Sequence, residues 1–263
     1  MISKQASIHS GARIADNVVI ESFSTIYEDV EIGAGTWIGP NVVIMNGARI
    51  GKNVKIFPGA VISGDPQDLK FEGEYTTAEI GDNTIIREYV TLNKGTKANN
   101  KTVVGKDCLI MSYVHIAHDC VLKDRVILGS YAGLAGEVEV DNWAIISPGS
   151  LVHQFVRIGA HVMIQGGSKV GKDVPPFAMA GRDPVSFTGI NSIGLRRRGF
   201  QNDTIYAIQE VYRILYQRGL NISDALEIVE ANLPASKERD ELILFIRGSK
   251  RGIIRGYFDG KEE

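Results

Sequence analysis

Ala6-Ser7-Ile8-His9-Ser10-Gly11-Ala12-Arg13-Ile14-Ala15-Asp16-Asn17-Val18-Val19-Ile20 opens a pattern in which isoleucine returns at every sixth residue: 8, 14, 20, 26, 32, 38, 44, 50, 56 and 62. Two residues before each stands something small or β-branched, from Ala6, Ala12 and Val18 to Ala48, Val54 and Ala60. Neither a helix of 3.6 residues per turn nor an alternating strand produces a period of six. A hexapeptide repeat does, each unit supplying one short strand and one corner of a parallel β-helix. The branched centre fills the interior, and the residue two earlier points inward beside it because strand side chains alternate faces. Gly33, Gly35, Gly39, Gly47, Gly51 and Asn53 fall where tight corners need them. The fold expected is a β-solenoid.

Outward from that block the pattern twice breaks and returns. Positions 68 and 74 should be apolar and are Asp68 and Glu74, within Gly64-Asp65-Pro66-Gln67-Asp68-Leu69-Lys70-Phe71 and the residues after it. The centres resume at Ile80, Ile86 and Leu92, stop again over the polar stretch from Asn93 to Lys101, and then run from Val104 to Val170. About 25 hexads make about eight three-sided coils, with projecting loops at about 64–78 and 93–102. Loops leaving a strict solenoid carry function more often than the scaffold does. The β-helix is expected over 1–190. Beyond it the spacing turns helical: Ile205, Ile208, Val211, Tyr212 and Leu215 share a face after Asn202-Asp203, with a stop at Gly219. Ser223 is expected to open a second helix ending at Leu233-Pro234, and a third starts near Lys237. Residues 191–263 therefore read as a small α-helical C-terminal domain capping the open end. Flat faces with tight corners suit side-by-side packing about a threefold axis, so a homotrimer is expected.

A net charge of -2 argues against coating nucleic acid or an acidic membrane surface. With no basic, apolar leader and no run of about 18 apolar residues, neither export nor membrane insertion is indicated, and the expected location is cytoplasmic. Cys108 and Cys120 each precede a centre by two residues and read as small core residues.

Because an uninterrupted coil is 18 residues long, positions 18 apart stack. His118 then lies under Gly136 and Gln154, and Ala117 under Ala135 and His153. Only Ala135-Gly136 separates the two histidine levels, about 9.5 Å apart at two strand spacings, which leaves a notch. His115, Asp119 and Glu137 border it. A carboxylate beside an imidazole fixes its tautomer and raises its basicity, as suits a base that deprotonates a hydroxyl. The unshielded N–H of Gly136 suits a developing oxyanion. Zinc held by His115, His118 and His153 is disfavoured, since ligands stand about 2 Å from the metal and His153 is two coils away; no metal or cofactor is expected. His9 and His161 read as solvated side chains. Arg196-Arg197-Arg198, Lys250-Arg251 and Arg255 suit an acidic protein or a phosphate group, not nucleic acid, for they lack interleaved stacking aromatics.

The assembled motifs resemble those of acyl-carrier-protein-dependent UDP-N-acetylglucosamine O-acyltransferases, which begin lipid A synthesis in Gram-negative bacteria. The resemblance covers nearly the whole chain and rests on Gln67-Asp68-Leu69-Lys70, His115-Ile116-Ala117-His118-Asp119-Cys120, Val152-His153-Gln154-Phe155 and Gly194-Leu195-Arg196-Arg197-Arg198-Gly199-Phe200. It implies a left-handed parallel β-helix and a homotrimer with active sites between subunits. It assigns His118 as general base, Asp119 as its orienting partner and Gly136 as oxyanion donor. It implies substrate contacts from Asp68, Lys70, His115, His153, Gln154, Asn191, Arg197 and Arg198. The donor would be acyl carrier protein, received by the basic C-terminal helices, and the acceptor UDP-N-acetylglucosamine. Gly166 looks like the floor of the acyl groove, implying a long 3-hydroxyacyl chain. Asn93, Glu137 and Ile193 depart from the residues of the best-known members. A related N-acyltransferase usually carries an extra N-terminal domain, whereas the hexads here begin by Ile8; a pure scaffold would have no reason to stack His118, Gly136 and His153-Gln154 on one edge.

Overall fold

The computed structural model describes residues 1–256. The apolar centres build a left-handed parallel β-helix with three faces. The first face has nine strands, running from Ser7–Ile8 to Lys169–Val170 through Val61–Gly64, Thr91–Asn93 and His115–Ile116. The second has eight, from Arg13–Ile14 to Arg157–Ile158. The third has eleven, because strands Ala178–Gly181, Ser186–Ile190 and Arg255–Gly256 extend it beyond the last coil. Each centre sits directly over the centre of the coil below, as in Ile26↔Ile44, Ile44↔Ile62 and Ile110↔Leu128. From Ile20 onward these centres are almost fully buried, while Ile8 and Ile14 at the open end are only partly covered.

The small positions explain themselves once the core is filled. Some are hydroxyls or thiols, and each hands its hydrogen to a carbonyl of the next coil: Ser24 Oγ to Gly39 O at 2.7 Å, Thr36 Oγ1 to Gly51 O at 2.9 Å, Cys120 Sγ to Ala135 O at 3.1 Å. These three groups are therefore not stranded in the core, which would cost about 1–3 kcal/mol each. Burial pushes the Cys108 thiol up to about 11 and the Cys120 thiol up to about 12, so both are inert, free core residues as the spacing implied.

Three edges join the faces. Their corners repeat a left-handed residue three positions before each centre, with φ near 60° at Asn53, Asn83, Tyr113, Asp119, Tyr131 and Glu137. On the edge between the second and third faces these residues form a continuous ladder. Asn83 Nδ2 donates to Asp107 Oδ1 at 3.0 Å, Arg125 pairs with Asp107 and lies 4.7 Å over Trp143, and His161 is stacked between Trp143 and Phe177. On the edge between the third and first faces Tyr89, Tyr113 and Tyr131 stack at 5.1 and 4.9 Å.

Both loops leave at the remaining edge, between the first and second faces. The register across coils shows how: 18 residues at Ile32↔Ile50, 30 at Ile50↔Ile80, 24 at Ile80↔Val104, and 18 again at Val104↔Leu122. Residues 65–76 and 94–100 are thus insertions into a single corner and supply no face of their own.

The C-terminal segment closes the wide end. Asn191 caps α1 (Ser192–Arg197), a short helix the spacing did not indicate. There follow α2 (Asn202–Gln217), α3 (Ile222–Asn232) and α4 (Lys237–Arg247). The cap of α3 is Asn221, whose side chain accepts from Asp224 N, so the helix opens before Ser223. Tyr212 and Tyr216 donate to Pro176 O and Ile254 O, and buried Asp173 accepts from Arg157 N and Ser249 Oγ. These bonds tie α2 and the returning chain to the last coil. The helical region expected to run to 263 is described to 256; residues 257–263 lie outside the described residues.

Candidate active site

The edge that carries the loops also carries the stacked notch. His115↔Gly133 and Gly133↔Leu151 fix Ala117, Ala135 and His153 in one column, with His118, Gly136 and Gln154 beside it. Below them lie both loops; above, the next corner brings Lys172.

His118 is buried at this corner. Its Nδ1 lies 2.8 Å from Asp119 Oδ2. The Asp119 carboxylate is wholly buried and takes three more hydrogen bonds, from Thr96 N at 3.0 Å, Thr96 Oγ1 at 2.7 Å and Asn99 N at 3.2 Å. Thr96 N and Asn99 N can only donate, so the carboxylate stands among donors as an acceptor. Toward such an acceptor Nδ1 of His118 carries the proton, and Nε2 presents its lone pair. That lone pair faces Asp68 Oδ2 across 4.0 Å, too long for a hydrogen bond. The ring leans on Gly136: a Cβ there would stand 2.5 Å from His118 Cε1 and 2.6 Å from Nε2. Glycine is required by that close approach. Among the described residues nothing accepts from the Gly136 N–H.

Asp68 is set by its loop, its Oδ1 accepting from Lys70 N at 3.0 Å and its carbonyl from Phe71 N. Leu69 at the tip is fully exposed, and among the described residues the Lys70 ammonium has no partner. The two loops hold each other through Lys94–Asp65 at 2.9 Å, Asn93 Nδ2 to Asp65 O at 2.9 Å, and Lys97 N to Glu74 Oε1 at 3.0 Å. His115 bonds Thr91 Oγ1 at 2.8 Å, and burial lowers its pKa, so it is neutral. His153 is exposed, its Nδ1 donating to Gln154 O at 3.1 Å. Asp68, Lys70, His118, Asp119, Gly136, His153 and Gln154 are therefore brought to one edge, and His115 stands next to it on the first face, in strand His115–Ile116.

Four expected site residues are not. Gly166 lies on the third–first edge, where an added Cβ would meet Pro148 O at 3.2 Å. Asn191 is buried, its amide donating to His161 O and accepting from Gly194 N. Arg198 donates to His161 Nδ1 at 3.1 Å and Trp143 O at 3.0 Å, clamping α1 to the second–third edge. Arg197 is exposed beside it. His161 itself is not the solvated side chain its position suggested. Stacked between Trp143 and Phe177, with Phe200 edge-on and Arg198 donating to it, it is pushed down to about 4 by burial and then by the arginine's charge. Cations do stand on the helices, Arg196 and Arg197 on α1, Arg213 on α2, and Lys237, Arg239 and Arg247 on α4, while α3 carries only Asp224, Glu227 and Glu230 as charged residues. A further group, Lys169, Lys172, Arg182 and Arg255, lines a cleft of about 910 Å³, with Lys172 in the corner above Gln154.

Thr96, Asn99 and Glu74 were missed as site residues. Counting faces would have found the level: the tenth, thirteenth and sixteenth strands (Val61–Gly64, Thr91–Asn93, His115–Ile116) belong to one face, so the residues after each strand share one edge. Among the described residues no group of three His, Cys, Asp or Glu side chains is placed to hold a metal ion, and no helix is long and apolar enough to cross a membrane.

Residues 173–254 match the family described as UDP N-acetylglucosamine O-acyltransferase, domain 2, and residues 29–64 and 101–136 match the bacterial transferase hexapeptide family. An acyl-[acyl-carrier-protein]–UDP-N-acetylglucosamine O-acyltransferase of Thiobacillus denitrificans is 46% identical over 255 residues, spanning 97% of this chain and 99% of that one. A crystal structure of the UDP-N-acetylglucosamine acyltransferase of Bacteroides fragilis superposes with a TM-score of 0.95 at 54% identity, covering 97% of this chain and 100% of that one. The Francisella novicida UDP-N-acetylglucosamine acyltransferase gives a TM-score of 0.94 at 41% identity, covering 97% and 94%.

Proposed function

The chain belongs to the acyl-[acyl-carrier-protein]–UDP-N-acetylglucosamine O-acyltransferase family, and on that premise we propose the reaction and the residues that perform it. The enzyme transfers a 3-hydroxyacyl group from acyl carrier protein to the 3-hydroxyl of UDP-N-acetylglucosamine, the first step of lipid A synthesis. The observation that carries the mechanism is the 2.8 Å bond from His118 Nδ1 to a buried, four-fold bonded Asp119, which leaves Nε2 as a directed base. Nε2 takes the hydroxyl proton as the sugar oxygen attacks the thioester carbonyl. Asp119 stabilises the imidazolium so formed. The Gly136 N–H donates to the tetrahedral oxyanion. When the intermediate collapses, the carbon–sulfur bond breaks and the thiolate recovers the proton from Nε2.

Asp68 holds the sugar across the 4.0 Å gap, and Lys70, unpaired and exposed, meets the diphosphate. His115, His153 and Gln154 line the acceptor's path up the edge. Gly166, Asn191, Arg197 and Arg198 stand on other edges of the same chain, so a complete site requires a second copy; a homotrimer with sites between subunits supplies it. There Asn191 and Arg197 approach the nucleotide or the acyl donor, with Arg198 behind them. The acidic carrier protein is received by the basic C-terminal region, Arg196 and Arg197 on α1 with Lys250, Arg251 and Arg255, together with the cleft of Lys169, Lys172, Arg182 and Arg255 at the top of the His118 edge. The reaction takes place in the cytoplasm, where carrier thioesters and sugar nucleotides are made.

Gly166 leaves the acyl groove deep, so acyl chains of about C14 or longer are preferred over those of about C10. A panel of 3-hydroxyacyl carrier proteins offered with UDP-N-acetylglucosamine tests this reading. Transfer favouring the long donors supports it; no transfer from any of them overturns the reaction, and faster transfer from the short donors overturns the role of Gly166.

A further inference from the structure

Asp119 both orients the base and anchors a loop, and one residue connects the two tasks. The oxygen that accepts from His118 Nδ1, Oδ2, also accepts from Thr96 Oγ1 at 2.7 Å, while Thr96 N holds the other oxygen at 3.0 Å. Thr96 is 7% exposed, and its hydroxyl oxygen is itself fixed by Ala98 N at 3.2 Å, so the hydroxyl hydrogen is left for the carboxylate. We propose that Thr96 is a positioning residue for the base: its hydroxyl tempers Asp119 and locks the second loop to the His118–Asp119 pair. The same loop holds the first one through Lys97 N to Glu74 Oε1 and Lys94 to Asp65, and the first loop carries Asp68 back to within 4.0 Å of His118. The contacts close a ring from base to carboxylate, to second loop, to first loop, and to the sugar-binding carboxylate.

The physical consequence is specific. A carboxylate oxygen that shares its charge with a hydroxyl stabilises the neighbouring imidazolium less than one that does not. Removing the hydroxyl therefore makes His118 harder to deprotonate, and the acidic limb of the rate profile moves to higher pH. The other groups facing the ring do not obscure this. Asp68 from the first loop and, from the coil above, Glu137 beside uncharged Gly136 are present in every variant, and the second loop's Lys94 and Lys97 are paired with Asp65 and Glu72.

The inference rests on His118 being the base. The test is kcat/KM against pH for wild type, Thr96→Val and Thr96→Ser in the intact enzyme with carrier-protein donor. Thr96→Val is expected to lose about tenfold at the plateau and to move the acidic limb up by about half a pH unit, while Thr96→Ser, which keeps the hydroxyl, stays within about twofold and leaves the limb in place. A rate loss in Thr96→Val with an unmoved limb would reduce Thr96 to loop packing and overturn the inference, as would an equal movement of the limb in Thr96→Ser. Should Thr96→Val not assemble, the smaller Thr96→Ala carries the same comparison. Failure here leaves His118→Ala inactive, whereas failure of the base assignment leaves it active, so the two are told apart.

Discussion

Gly136→Ala adds one methyl group to the enzyme at the place where the coil above His118 comes closest. The new Cβ would stand 2.5 Å from Cε1 and 2.6 Å from Nε2 of the imidazole, against an ordinary carbon contact of about 3.5–4.0 Å, so the ring must retreat by about 1 Å. It cannot retreat toward Asp119, whose carboxylate already bonds Nδ1 at 2.8 Å. Movement in any other direction stretches that bond and turns Nε2 out of the notch. Gly136 is not among the left-handed corner residues, so alanine brings no backbone strain and the cost falls on the ring alone. Misplacing a catalytic group by about 1 Å costs about 10²-fold, and disturbing an oxyanion donor about 10²–10³-fold. The expectation is a fall in kcat of at least about 10²-fold, with thermal stability lowered by only about 1–3 kcal/mol, the usual cost of an added methyl in a packed site. The assay is transfer of a labelled 3-hydroxyacyl group, with oligomer size and melting followed on the same samples. In a His118→Ala background the overlap vanishes, so adding Gly136→Ala there should cost no further stability. A Gly136→Ala enzyme that keeps more than about a tenth of its rate would refute the geometry on which the site is built.

Gly166→Met, which fills the proposed groove floor, should move the preferred donor from about C14 toward about C10 by at least tenfold in relative kcat/KM, measured by competition between the two carrier-protein thioesters; an unchanged preference removes Gly166 from the groove. His161 binds its proton only near pH 4 when folded but at the ordinary 6.5 when unfolded, so the unfolded chain binds more protons and stability rises with pH across that window. The melting temperature should therefore fall as pH drops from about 6.5 toward 4, and His161→Gln, which cannot take up a proton, should flatten part of that slope; a slope identical to wild type would contradict the burial assigned to the ring.

How much of this fold can be read in its sequence depends on how many destinations each residue has. An isoleucine at every sixth position has only one, the interior of a coil, so the core from Ile20 to Val170 was legible in full. The face of α2 was legible for the same reason, its apolar residues falling at helical spacing. Stacking by 18 found His118, Gly136 and Gln154 because that part of the helix is uninterrupted. It could not reach below His118, where insertions lengthen the coils to 30 and 24 residues. Positions 68 and 74 looked like hexads with the wrong residues, whereas they belong to a loop that adds no face. The bonds from Thr96 and Asn99 to Asp119 depend on how that irregular backbone bends, and no period encodes it. His161 was misjudged because its neighbours Phe200 and Arg198 arrive from α1 and the residues after it, a stretch whose six-residue helix and Gly194 give no readable spacing. The cap at Asn221 was passed over for Ser223, two residues on, the usual margin at helix ends.

Wild type and His118→Ala, compared in transfer of a 3-hydroxyacyl group from carrier protein to UDP-N-acetylglucosamine, decide whether this imidazole is the base. Loss of at least about 10³-fold in kcat, with oligomer size and melting temperature unchanged, is expected when the group placed to take the hydroxyl proton is removed. Retention of more than about a tenth of the rate would contradict the base assignment and send the search for the proton acceptor to Asp68, 4.0 Å away.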